Sequence, residues 1–243
     1  MFKLEQIGEN TINKIAEMAL ARQIKQAEKV SVKVKTDPEK LAKGLLESIT
    51  ISGSGLMLNS YLRVQEMEIK LNQIVVNPFK ALMGNIQLIQ PSLGTIHVVL
   101  KEKDIEQSLR DRIWHETSEA NRSLSNQTLQ ISIQQVLCKI SEQGQIIITT
   151  QIHEQSTGEI KEVLLKAIPT IELNNEIALK EIQQTENSLT TLVNEIILKE
   201  IIQVLNFNSF YINGLDWKIQ QLTFKTGQFI VQGIAIMSRF PGA

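Results

Sequence analysis

Through most of this sequence apolar residues alternate with polar ones in a period of two, which restricts the chain to a fold rich in half-buried strands. Val30, Val32 and Val34 alternate with Ser31, Lys33 and Lys35. Ile49 and Ile51, then Met67, Ile69 and Leu71, then Ile96, Val98 and Leu100 repeat the pattern. It recurs at 129–133, 136–140, 146–152, 163–167, 171–173, 215–225 and 228–238. Segments with one apolar and one polar face belong in an antiparallel sheet with one wet side. Asn77-Pro78 and Pro91-Ser92-Leu93-Gly94 supply turns between them.

Three segments take the helical period instead. Over 4–28, residues such as Leu4, Ile12, Ile15, Ala19 and Ile24 recur at three- and four-residue steps. Over 102–120, Ile105, Leu109, Ile113 and Trp114 share one face. The segment 188–205 is apolar nearly all round, so it requires burial on most sides. Asp37 before Pro38 opens a short helix over 39–43. Strands in runs between helices predict an α+β fold. Its mainly antiparallel sheet is expected to curl, because so many strands rarely stay flat, and to wrap around long apolar helices. With no linker and no repeat, residues 1–243 are expected to form one domain.

Chemistry is scarce. Twenty-five basic against 26 acidic side chains give a net charge of −1, without the basic excess of a nucleic-acid binder. The single cysteine, Cys138, excludes a disulfide framework and a Cys-based zinc site. Its alternation with Val136 and Ile140 predicts a buried thiol. His115-Glu116 and His153-Glu154 lack the second histidine of a metalloprotease helix, because Glu119 and Thr157 stand there. Gly53-Ser54-Gly55 completes neither nucleotide motif, since Leu58 replaces the third glycine, and marks a bend in a strand. No metal, cofactor or catalytic residue is therefore expected, and the glutamates read as solvated. Isoleucine makes up about one residue in seven, an aliphatic excess suited to a packed core or a lipid-lined cavity. Glu5 and Glu9 fall where a signal peptide has its apolar run, and no segment approaches the ~20 apolar residues of a spanning helix. The expectation is a cytoplasmic chain.

The order of these features resembles the LmeA-like phospholipid-binding domain family of bacteria. Ala19-Leu20-Ala21, Val30-Ser31-Val32-Lys33-Val34, Asp37-Pro38 and the 41–46 stretch with Gly44 carry the likeness. Ile49 to Leu56 with its paired glycines, Met67-Glu68-Ile69, the stretch from Asn77 to Gly84, and Glu102-Lys103-Asp104-Ile105 extend it. The family is similar in architecture to tubular lipid-binding proteins, where a coiled sheet wraps helices around an acyl-chain groove. The resemblance implies binding or transfer of phospholipid at a membrane surface without catalysis. Family members that act outside the inner membrane carry an export signal or anchor. In lacking one, this chain resembles the soluble cyanobacterial branch.

If helices line a groove, the faces carrying Leu109, Ile113, Trp114, Leu192, Ile196 and Ile197 are the candidates, with plain core as their other role. Residues 22–43 hold seven basic against three acidic side chains. Lys29, Lys33, Lys35 and Lys40, with Phe79, Leu82 and Met83, are accordingly the candidates for contact with an anionic membrane. The competing reading is an adaptor that spends its apolar surplus on a homodimer interface.

Overall fold

A computed structural model describes residues 13–14, 17–18, 27–57, 62–82, 87–123, 131–154, 157–173, 175–185, 188–207 and 212–240. Ten strands dominate: β1 (Lys29–Lys35), β2 (Leu45–Met57), β3 (Arg63–Val75), β4 (Ser92–Lys101), β5 (Ile131–Ile140), β6 (Ile146–Glu154), β7 (Ile160–Ile171), β8 (Ile177–Gln184), β9 (Leu215–Lys225) and β10 (Gln228–Met237). The helices are α1 (Pro38–Ala42), α2 (Pro78–Leu82), α3 (Glu102–Ser123) and α4 (Ser188–Val204). A six-stranded sheet runs β1-β2-β3-β4-β10-β9 and a four-stranded sheet β5-β6-β7-β8, every pair antiparallel. Buried aliphatic residues of both sheets, α3 and α4 form one contiguous cluster.

This corrects the expected α+β fold with its sheet around long apolar helices. The fold is mostly antiparallel sheet, and no described helix is both long and apolar. α3 has 22 residues, but its sequence is largely charged and polar apart from the stripe through Ile105, Leu109 and Ile113. α4 is apolar but has only 17 residues, a length of about 25 Å. The aliphatic excess lies mainly on strand faces. Of the expected helix over 4–28, residues 13–14 and 17–18 are helical, residues 27–28 are not, and the others lie outside the described residues.

The strands also run further than periodicity suggests. Residues 131–133 of the first expected segment and the segment at 136–140 belong to the single strand β5, whose register shifts between Ile133 and Gln135 and so breaks the alternation, while residues 129–130 lie outside the described residues. The segment at 163–167 belongs to a strand that runs on through Pro169 to Ile171, where the expected strand at 171–173 gives way to a turn. Its partner β6 ends at the Ile146–Ala167 pair, so Pro169 faces only β8 and needs no second ladder bond. β8 itself has no apolar alternation, because only Ile177 is buried. Local chemistry holds where it was legible: Asp37 caps α1, its Oδ1 accepting from the Lys40 N–H at 2.8 Å.

Side chains close three of the four sheet edges. Along β1, the Val34 N–H donates to Asn13 Oδ1 at 2.7 Å and the Val32 N–H to Glu17 Oε1 at 3.1 Å. Along β5, the Ile140 N–H donates to Glu102 Oε1 at 2.7 Å and the Cys138 N–H to Glu106 Oε2 at 3.1 Å. On β9, Asn175 accepts from the Ile219 N–H and donates to the Trp217 carbonyl at 3.2 Å. The fourth edge, β8, is blunted by a register shift and by Glu181, whose φ is +49°. The sheets meet through their hairpin tips: the Gly227 N–H donates to the Ile140 carbonyl at 3.2 Å and Thr226 Oγ1 to Glu142 Oε1 at 2.6 Å.

Replacing Glu102 or Glu106 with Ala leaves a strand N–H without its charged acceptor, a loss of about 1–3 kcal/mol. Urea melts should show that loss, and amide exchange at Ile140 or Cys138 should accelerate. The Gln variants keep an acceptor oxygen and should sit close to wild type in both measurements.

Candidate functional site

At the start of α3, Asp104 Oδ2 accepts from the Lys101 N–H at 3.3 Å, and burial holds its carboxyl above the usual range against that hydrogen bond. From there α3 packs along β5 and against α4. Leu109 and Ile113 of α3 and Ile197 of α4 are fully buried in this seam, and Ile196 is half-buried. Trp114, by contrast, is 64% exposed. The side chain of Leu192 lies outside the described residues. The structure thus brings Leu109, Ile113 and Ile197 into the core cluster and turns Trp114 to solvent.

One ion pair interrupts the apolar seam. Glu200 of α4 is fully buried, and one of its oxygens accepts from the Arg112 Nε–H of α3. Its other oxygen lies 3.9 Å from Lys199 Nζ, too far for a hydrogen bond. The Glu200 carboxylate depends on Arg112 for its compensating charge. Arg112→Leu should therefore cost about 3–5 kcal/mol, whereas Arg112→Leu with Glu200→Leu should recover most of it, as read by thermal or urea unfolding.

Two open spaces are described. A recess of about 520 Å³ lies where the C-terminal part of α4 meets the β7–β8 hairpin, lined by Leu173, Ile177, Ala178, Leu179 and Ile202 with Glu172 and Glu176. Leu173 is fully exposed and Ile202 is 42% exposed, so this apolar wall faces solvent. Sequence reasoning passed it over because α4 looks uniformly buried and β8 is not legible as a strand. A second cavity of about 390 Å³ lies on the polar face of the six-stranded sheet, among Lys29, Ser31, Ser52, Ser54, Glu68 and His97. His97 stands on that face between Glu68 and Gln232 of the flanking strands. Among the described residues no three His, Cys, Asp or Glu side chains are grouped to hold a metal ion.

Lys29, Lys33, Lys35 and Lys40 are all exposed. Lys40 is engaged, with its Nζ 2.5 Å from Glu47 and 3.5 Å from Asp37, and the Glu47 hydrogen bond raises its pKa. Lys35 lies 3.7 Å from the same Glu47. Lys29 and Lys33 make no ion pair among the described residues. Phe79, on α2, is 78% exposed, while the Leu82 side chain and Met83 lie outside the described residues.

Cys138 is buried, and burial first, then the Glu102 and Glu106 carboxylates, push its pKa far above that of a free thiol. A raised pKa keeps the thiol protonated through neutral and mildly alkaline pH, so it is not a nucleophile there. A disulfide-exchange reagent should leave native protein unlabelled at pH 8 and label one thiol after unfolding. Labelling of the native protein would show that the core opens at β5.

The geometry is that of a sheet-rich protein with an apolar recess at the end of α4. Residues 4–234, nearly the whole chain, match the LmeA-like phospholipid-binding family, and the chain belongs to it. No curated protein and no solved structure matches the chain.

Proposed function

We propose that the protein binds phospholipid by its acyl chains, without catalysis, in the recess between α4 and the β7–β8 hairpin. Membership of a phospholipid-binding family across residues 4–234 carries the reading. Its location is supported by the open aliphatic wall of Leu173, Leu179 and Ile202, and by a volume within the ~300–1,000 Å³ of ordinary ligand sites. The seam between α3 and α4 serves this purpose less well. Leu109, Ile113 and Ile197 are fully buried there, so a chain could enter only if the helices parted. The absence of catalysis is supported by the incomplete sequence motifs and by the protonated, buried Cys138 thiol.

Native mass spectrometry of gently purified protein tests this. The expected result is retained phospholipid at about one per chain. Ile202→Glu, at a partly exposed position, should strip the lipid while leaving the urea midpoint nearly unchanged. Ile197→Ala should instead lower stability by about 2–5 kcal/mol, as a core truncation does. A lipid-free dimer would overturn the proposal in favour of an adaptor.

A further inference from the structure

We propose that the six-stranded sheet docks its outward face on an anionic lipid bilayer, through an aliphatic patch of Leu93, Ile234 and Ile236 flanked by lysines. The lipid-binding reading supplies the reason for such a visit; the surface itself rests on strand register. Leu93 of β4 pairs directly with Ile236 of β10, and Ile234 stands two residues along on the same face. All three are exposed, at 63%, 38% and 40%. The row through Ile234 runs Lys33–Thr50–Lys70–Thr95–Ile234–Lys218 across the whole sheet. Lys70 and Lys218 therefore bracket the patch, about 14 Å apart over three strand spacings. Neither they nor Lys33 makes an ion pair among the described residues, and all three are exposed. The nearest acids by register are Asp216, beside Ile236, and Glu68, one row beyond Lys70.

The inner face explains how this patch is presented. Behind it stand Gly94, Gly233 and Ala235. A Cβ on Gly94 would lie 2.0 Å from the Lys70 carbonyl oxygen, and one on Gly233 2.2 Å from that of Lys218. The sheet bends inward so tightly here that neighbouring backbone occupies the space of a side chain, and a register shift at Gln232/Gly233 adds to the bend. The outward face is convex at this point, so the three aliphatic side chains form a crest that a flat surface can meet. Their occupant follows from charge. A second copy meeting this face about a two-fold axis along the strands would set Lys70 against Lys218. A bilayer carrying anionic headgroups satisfies the lysines and takes up the aliphatic crest, the two weak signals that reversible attachment requires.

Flotation with phosphatidylcholine vesicles, with and without phosphatidylglycerol, tests the proposal on the full chain. Wild type should float with the anionic vesicles at low salt, release as salt shortens the ~8 Å screening length, and ignore the neutral ones. Lys33→Gln/Lys70→Gln/Lys218→Gln should weaken partitioning about a hundredfold, roughly fivefold per lysine. Leu93→Ser/Ile234→Ser should weaken it at constant charge. Phe79→Ser should leave it unchanged. Circular dichroism checks that each variant folds, and native mass spectrometry checks that retained lipid is unaltered, so that a failure of the surface is distinguishable from a failure of the recess. Equal flotation of wild type and the triple lysine variant would overturn the proposal. So would loss of binding in Phe79→Ser alone, which would place the contact at α2.

Discussion

An antiparallel sheet cannot end without a decision about its last row of amides, and in this protein that decision is made by side chains. Asn13 and Glu17 accept from β1, Glu102 and Glu106 accept from β5, and Asn175 serves β9. An exposed edge of N–H groups invites another chain. Here the acceptors come from helical residues next to β1 and β5, so the bonds that close an edge also place a helix. The position of α3 against β5 fixes in turn where α4 can pack, and with it the recess at the α4 end.

The pattern occurs twice. Helical residues followed by the four-strand run β1-β2-β3-β4, and α3 followed by β5-β6-β7-β8, both use polar side chains four residues apart to hold the first strand. The two sheets share one aliphatic cluster, into which α3 turns its stripe of Ile105, Leu109 and Ile113. The buried Arg112–Glu200 pair interrupts that cluster between α3 and α4. Replacing it with matched apolar residues should be tolerated, which sets it apart from the edge bonds.

Much of this fold is legible in the sequence because it is local. The alternation of Val30, Ile49, Met67 and Ile96 with their polar neighbours identifies β1 to β4, and Asp37-Pro38 identifies α1. β8 is not legible because its burial is decided by what lies beneath it, not by period: only Ile177 is buried, with Leu179 half-buried against the core. Glu102 and Glu106 look like solvated helix glutamates until β5 is placed beside them. Acceptors four residues apart on a helix that leads into a strand were the available signal. The recess needed a hairpin that periodicity does not reveal. The crest of Leu93, Ile234 and Ile236 needed cross-strand register, since more than a hundred residues separate Leu93 from its partner Ile236. The expectation of long apolar helices failed for a simpler reason. Helical period says nothing about how polar the rest of the circumference is, and α3 is mostly polar.

The helix-to-strand match has an arithmetic of its own. Four helical residues advance about 6.0 Å and two strand residues about 6.6 Å, so the two scales work as a vernier. A first and a second tooth can mesh within hydrogen-bond tolerance, as the 2.7 and 3.1 Å contacts of Glu102 and Glu106 do. A third would fall more than an ångström out of step, before the strand's twist is added. On α3 that third position is Arg110, a donor that could not accept from the strand in any case. A straight helix can thus grip a strand edge at two points only, and beyond them it must diverge from the sheet, leaving its far end free to pack against something else.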